Sequence, residues 1–476
     1  MPHGNSWQQD QLRWRILLVI LGAIFMSLMS GSVVNVALFS IQDALDASQS
    51  DLQWVLSGYT LTFGVVLVSA GRAGDLMGRG GFFLIGVGIF TLSSIAAGLA
   101  PDTNWLNAAR FAQGVGSGFL NPQGVGMIQQ YFHGSERARA FGFFGTAVGV
   151  SVAIGPILGG LLIHLGGPEL GWRLTFLINV PFGVLTLVLG WRWFPRPLLQ
   201  APKSNNGNAI SSLDPVGAVI LGLAVLALLF PFVESPASQQ IWLLLPLASF
   251  LLFIWVKWER WYARRGYSPM VDLDIFRIPS YRNGSIIMTL YFFGMTSIWV
   301  LIPLFLQQNA GFSAFEAGVI GIPSALLSAV SANWAGHQVS KYGRLVVIGG
   351  LSMVVFSILT SMAVVLLHQY YDISIWWLLL TLSFFGLGQG STISPNQALT
   401  LAEVPLDYAG SSGAVMQTGQ RIGTSVGIAL ITALVFALHP KFGWPAAVVS
   451  GMLGITLIVL LALLMAFKDL ADRKQR

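Results

Sequence analysis

The chain contains no cysteine among its 476 residues. Disulfides, thiol chemistry and Cys-ligated metal sites are therefore excluded. Charge is almost as scarce, with 9% of residues being Asp, Glu, Lys or Arg, where soluble chains carry about 25%. A chain so poor in charge cannot cover its own surface in water. That excludes an ordinary soluble enzyme, a disordered protein and a nucleic-acid binder, although the pI is near 9.6. The six histidines, at positions 3, 133, 164, 337, 368 and 439, show no ligand spacing. Neither a metal nor any other cofactor is implied.

What the chain has in plenty is apolar sequence: 54% of residues are hydrophobic and the mean hydropathy is +0.71. Lipid must be the solvent for most of its surface. The first apolar run, Trp14 to Phe39, has the length to span a bilayer, which takes about 20 residues. A signal peptide has a shorter apolar core of about 7–15 residues, so the run reads as a retained first helix. Similar runs recur at 51–70, 81–100, 105–131, 140–165, 174–194, 213–233, 241–258, 283–306, 315–336, 345–367, 374–399, 408–435 and 444–467. The expectation is an all-α membrane protein with fourteen spans and both termini on one side.

The positive-inside rule says which side. With the N-terminus cytoplasmic, all but four of the 25 Lys and Arg residues lie inside. The exceptions are Arg173 and Lys441 outside and Arg110 and Arg421 within helices. The basic pI thus reflects loops facing anionic lipid. The expected layout is a six-helix bundle over 1–194, a Pro-, Asn- and Ser-rich linker over 195–212, and two extra helices over 213–258. An interfacial loop over 259–282, rich in aromatics and arginines, and a second six-helix bundle over 283–476 complete it.

The two sixes look related. The stretch Gly71-Arg72-Ala73-Gly74-Asp75-Leu76-Met77-Gly78-Arg79 follows the second helix of the first half. Gly336 to Gly343-Arg344 follows the second helix of the second half in the same frame, with Ser340 where Asp75 stands. The second loop thus lacks the acid of the first. A looser pair is Gly116-x-Gly118 with Asn121-Pro122-Gln123 and Gly388-x-Gly390 with Pro395-Asn396-Gln397. Repeated halves point to alternating access, with substrate near the midplane between them.

At these residues the chain resembles the major facilitator superfamily, which is itself a stock example of repeated halves. Gly71 to Arg79, Arg110-Phe111-Ala112-Gln113-Gly114 and Gly155-Pro156-Ile157-Leu158-Gly159-Gly160 look like its three signature motifs. Fourteen spans, Trp54-Val55-Leu56-Ser57-Gly58-Tyr59 and the 410–427 segment resemble the EmrB/QacA-like drug:proton antiporters. The resemblance implies a two-bundle fold and secondary, proton-coupled efflux of amphipathic molecules from the cytoplasmic (inner) membrane of a bacterial-type cell. It implies a monomer whose partners are the substrate, protons and the bilayer.

The candidate site residues follow. Gly71, Asp75, Gly78 and Arg79, with Arg137 and Arg139, are the expected cytoplasmic latch; the plainer reading is a basic loop that only fixes topology. Arg110 lies inside a span, where insertion scales charge at least about 2.5 kcal/mol. The resemblance implies a role in proton coupling, and the alternative is a structural arginine bonded to carbonyls. Arg110, Gln113, Ser117 and Asn121 share one helical face and are expected to face the central cavity. Gly155, Pro156, Gly159 and Gly160 form the antiporter-like motif, or else ordinary glycine-rich packing. Ser30, Asn35, Asn396, Gln417 and Arg421 complete the expected substrate cavity.

One departure matters. Family members commonly carry an Asp in the first helix, and Ser30 stands at that position here, before Val33-Val34-Asn35-Val36-Ala37-Leu38. Two intramembrane arginines without a carboxylate should repel lipophilic cations, so neutral or anionic amphiphiles fit better. The runner-up is a flippase-like exporter of a lipid or anionic metabolite, with weak or no proton coupling. A membrane enzyme or sensor is the rival class, and no nucleophile, metal cluster or soluble output segment speaks for it.

Overall fold

A computed structural model describes residues 6–199, 213–233, 239–312 and 314–474. Most of the expected 195–212 linker therefore lies outside the described residues. The described chain is helical, with no strand among the described residues. The helices are α1 (Ser6–Leu45), α2 (Gln49–Met77), α3 (Arg79–Gly98), α4 (Thr103–Tyr131), α5 (Gly134–Leu177), α6 (Asn179–Trp193) and the short α7 (Arg196–Leu199). They continue as α8 (Pro215–Val233), α9 (Leu244–Arg264), α10 (Pro279–Gln308), α11 (Ala314–Val319), α12 (Ile322–Tyr342), α13 (Arg344–Tyr371), α14 (Leu378–Thr400) and α15 (Ala409–Lys474).

Each expected span falls on helix, and local chemistry explains the boundaries. Ser48 caps α2 by accepting from Asp51 N, while the Asp51 carboxylate accepts from Ser48 N, the reciprocal arrangement of a capping box. Asp102 accepts from Trp105 N (2.8 Å) and opens α4. The long α5 and α15 each pass through a glycine of positive φ, Gly167 (67°) and Gly443 (76°), so each is two helices in sequence. Among the described residues, ten helical stretches are by themselves long and apolar enough to cross a membrane. The polar stripe on α4 lowers its apolarity, and that stripe carries the buried polar residues described below.

Packing divides the chain into two compact units. The first comprises Met1–His133, Ile154–Asp274 and Val404–Val415; the second comprises Gly134–Ala153, Ile275–Glu403 and Met416–Arg476. These units do not follow the expected divisions at 194 and 283. The first half of α5 belongs to the second unit, and the first turns of α15 belong to the first. The extra helices α8 and α9 pack in the first unit, where Phe230 of α8 meets Trp54 of α2 at 5.9 Å between ring centres. The second unit is cored by Tyr291, Ile298 and Phe305 of α10, Leu351 and Ile358 of α13, Phe385 of α14 and Met452 and Val459 of α15.

Candidate functional site

Three buried arginines organise the polar interior. In the first unit Arg79 opens α3 after Gly78, whose φ of 103° breaks the chain between α2 and α3. Arg79 Nε donates to Asp75 Oδ1 (2.9 Å), and its other nitrogens reach Gln130 Oε1 (2.8 Å) and Leu406 O. Asp75 accepts two further bonds, from Gly410 N and Ser411 N (both 2.9 Å). Those are free N–H groups of the first turn of α15, and the positive end of that helix favours a carboxylate. Gly71 permits the approach, because a Cβ there would stand 2.8 Å from Gly410 O. The side chain of Asp75 is fully buried. Arg72 lies over the ring of Tyr408 at 5.0 Å.

The structure thus brings Asp75, Gly71, Gly78 and Arg79 together. Of the arginines open to Asp75 in the sequence, Arg79 lies in the same unit and is bonded to it. Arg137 Nη1 reaches Leu401 O (3.5 Å) and Arg139 lies over Phe143, both within the second unit. The sequence reading allowed Asp75 a helix N-terminus as donor, and that helix is α15. Which helix it would be was not legible, because the start of α15 is far off in the chain and bonds through backbone N–H groups, which leave no side-chain signal.

Arg110 is the second arginine, 1% exposed. Its Nε donates to Val55 O (2.7 Å), its Nη1 to Gln113 Oε1 (2.5 Å), and its guanidinium lies 4.5 Å from the centre of the Tyr59 ring. Gln113 Nε2 donates in turn to Ser94 Oγ (2.7 Å) and Ser30 Oγ (3.3 Å). The Tyr59 hydroxyl joins Ser117 Oγ (2.8 Å) and Ser27 Oγ (3.1 Å), and Asn121 Nδ2 reaches Ser117 O (3.0 Å). Every partner of Arg110 is neutral. The α4 stripe is buried, with contacts to α1, α2 and α3 inside the first unit. Ser30, at the position where family members carry Asp, belongs to this network. Asn35, two turns of chain further on, is exposed. Tyr59, Ser27 and Ser94 were not singled out in the sequence, although Tyr59 ends the Trp54–Tyr59 motif.

The third arginine is neutralised from outside its own loop. Arg344 opens α13 after Gly343 (φ 55°) and is 1% exposed. Ser340 is exposed, yet Arg344 does not lack a carboxylate. Its Nε donates to Asp469 Oδ2 (2.6 Å) near the end of α15, and Asp469 also accepts from Arg473 Nε (2.9 Å) and Asn283 Nδ2 (3.0 Å). Arg344 Nη1 donates to Asn396 Oδ1, and Asn396 Nδ2 to Gly284 O (3.0 Å). Asn396 is accordingly a member of this cluster. The remaining expected cavity residues, Gln417 and Arg421, are half-buried on α15. Thr424, on the same face, meets Thr296 at 3.3 Å.

The glycines of α5 divide by unit. A Cβ at Gly145 would run into Ser394 Oγ, one at Gly155 into Ser32 Oγ, and one at Gly159 would stand 3.1 Å from Val33 O. At Gly160 nothing lies within 4 Å, so packing does not require a glycine there. The side chain of Pro156 lies outside the described residues. Among the described residues no cluster of His, Asp or Glu could hold a metal ion.

Comparisons with known proteins agree with this architecture. The profile of the Major Facilitator Superfamily matches residues 20–428. The chain is 34% identical over 432 residues to a probable actinorhodin transporter of Streptomyces coelicolor, covering 90% of this chain and 73% of that protein. It is 31% identical over 422 residues to the multidrug resistance protein Stp of Mycobacterium tuberculosis, covering 87% and 74%. Among solved structures, the proton:xylose symporter XylE has a TM-score of 0.68 at 15% identity, covering 97% of this chain and 96% of that one. That last likeness concerns the fold alone.

Proposed function

The chain belongs to the Major Facilitator Superfamily, and from that premise we propose that it is a secondary exporter of amphipathic small molecules working by alternating access. It is a multi-pass membrane protein whose family works by transport and not by catalysis. In this reading it spans the cytoplasmic membrane fourteen times, with both termini inside, and acts as a monomer exchanging substrate for protons. The names of the actinorhodin transporter and Stp support export as the direction and drug-like amphiphiles as the cargo.

The observation that carries alternating access is the joint at Asp75. One carboxylate is held at once by Arg79 and by the open end of α15. Such charge-assisted bonds are strong enough to favour one state, at about 1.5–3 kcal/mol, and few enough to release. Gly71, Gly78 and Arg79 shape this latch, and Arg110 is assigned to proton coupling. Neutral or anionic cargo is favoured over lipophilic cations, because Arg110 and its network carry no carboxylate. That same feature favours, as the second reading, a lipid or anionic metabolite moved with weak proton coupling.

Transport into proteoliposomes, with and without an imposed pH gradient, tests both. Cationic, neutral and anionic amphiphiles should be offered in parallel. Gradient-driven accumulation of neutral or anionic cargo is expected. Strong transport of a quaternary-ammonium dye would overturn the assignment of cargo class, and indifference to the gradient would select the second reading.

A further inference from the structure

Among the described residues of the first unit are two buried carboxyl groups that no described arginine or lysine meets. Asp214, just before α8, is 0% exposed and Glu259, near the end of α9, is 1% exposed. Asp214 adopts a φ of 44°, and its Oδ1 accepts from Gly217 N (3.0 Å) and Trp258 Nε1 (2.9 Å). It is thus spoken for by neutral donors. Glu259, the neighbour of Trp258 in sequence, accepts at Oε2 from Met270 N (3.1 Å). Its Oε1 is buried without a well-formed hydrogen bond, and the donors nearest the carboxyl beside Met270 N are the Val271 N–H and the indole N–H of Trp255 one turn away, itself buried and unsatisfied.

The other titratable groups facing Glu259 are Asp214 and the phenols of Tyr262 on α9 and Tyr408 ahead of α15. Arg72 of α2 is engaged over the Tyr408 ring and forms no ion pair with Glu259. The other buried carboxylates of the described residues stand differently: Asp75 has Arg79, and Asp469 has Arg344 and Arg473. Two carboxyls buried within reach of each other, with no cation between them, cannot both carry charge cheaply.

We propose that Glu259 and Asp214 form a proton-binding pair at the base of the two extra helices, with the proton as the ligand and Glu259 as its carrier. The proton comes from the adjoining aqueous phase and bonds to Oε1, the oxygen with no well-formed hydrogen bond. Oε2 keeps the Met270 N–H, so the loop that follows α9 stays attached in either state. This site owes nothing to the export reading. A carrier with another cargo would hold the same proton.

The test is pH-difference infrared spectroscopy on the full-length protein in proteoliposomes. A protonated-carboxyl C=O band should be present at neutral pH and vanish on alkalinisation. Glu259→Gln should remove that band while the amide still accepts from Met270 N–H. Asp214→Asn should lower the midpoint at which the band is lost by about one pH unit or more, because the like charge beside Glu259 is gone. The same titrating band in wild type and Glu259→Gln would overturn the assignment. Should Glu259→Gln fail to fold, an unmoved midpoint in Asp214→Asn would overturn it equally.

Discussion

Arg79 and Arg344 occupy corresponding places in the two repeats, each directly after a glycine of positive φ and each at the start of a helix. Both are buried and both have a carboxylate on Nε. The sources of that carboxylate differ. Arg79 takes it from its own loop, at Asp75 four residues earlier, and Asp75 then binds the first turn of α15. Arg344 takes it from Asp469, 125 residues away, which is also bound by Asn283 and Arg473. The repeat therefore preserves a demand, that a buried guanidinium be neutralised, and not the residue that meets it. Where the loop's own acid is kept, it remains bonded to free N–H groups of a helix end and can let go. Where it is replaced by serine, the acid sits in a closed cluster of side chains.

The sharpest way to break the comparison is to remove each acid. Losing one partner of a buried pair strands the other charge, at a cost of about 3–5 kcal/mol. Asp469→Ala should therefore lower thermal stability far more than Asp75→Asn and reduce the yield of folded protein. Equal losses in a thermal-denaturation assay would show that the two junctions are alike after all.

Arg110 supplies the contrast of a buried arginine with neutral partners only. Arg110→Ala leaves no stranded carboxylate, so the protein should insert and fold, yet uphill transport should be abolished. Arg110→Lys should rescue poorly, since an ammonium cannot reproduce the fork that reaches Val55 O and Gln113 Oε1 together. Full gradient-driven transport by Arg110→Ala would remove the residue from coupling.

Asp75→Asn should act on the balance of states more than on folding. Losing charge-assisted bonds worth about 1–3 kcal/mol would shift the ratio by about 5- to 150-fold away from the latched state. The chain has no native cysteine, so single cysteines in the part of α4 nearest Tyr131 can be compared directly. They should label faster in the Asp75→Asn background. Unchanged labelling at several sites would reduce the loop to a topology signal.

How much of this was legible beforehand depends on distance along the chain. The spans were legible because lipid demands long apolar runs, and the breaks at Gly167 and Gly443 fall between expected helices. The link from Arg110 to Gln113 was legible because residues three apart share a helical face. The polar α4 stripe was legible as a stripe, but not its burial, because Ser27, Ser30, Tyr59 and Ser94 come from three other helices. That Asp75 could take a helix N-terminus was legible, but not that the helix is α15, and Asp469 could not be foreseen, since nothing local marks a partner so far away. Glu259 and Asp214 were not singled out in the sequence, and only the fold buries them.

A smaller effect is expected along α5. Gly155→Ala places a methyl against Ser32 Oγ, while Gly160→Ala enters open space. The first should cost about 1–3 kcal/mol, as overpacking does, and the second close to nothing. Thermal denaturation of the two variants side by side would check this, and equal tolerance would return the motif to ordinary glycine-rich packing.

The smallest expected effect concerns Ser340. Restoring the acid with Ser340→Asp makes the second loop read like the first. A substitution at an exposed site away from special features stays within about 0.5 kcal/mol, and Ser340 is exposed while the Asp75 side chain is fully buried. Arg344 Nε is already taken by Asp469 at 2.6 Å. The new carboxylate should therefore face solvent, leave stability unchanged, and fail to rescue Asp469→Ala. A double-mutant cycle of thermal stability over positions 340 and 469 measures this directly, with a coupling near zero expected. A clear rescue would mean that the loop can still supply the neutralising charge, and that Asp469 holds its place only because Ser340 leaves it vacant.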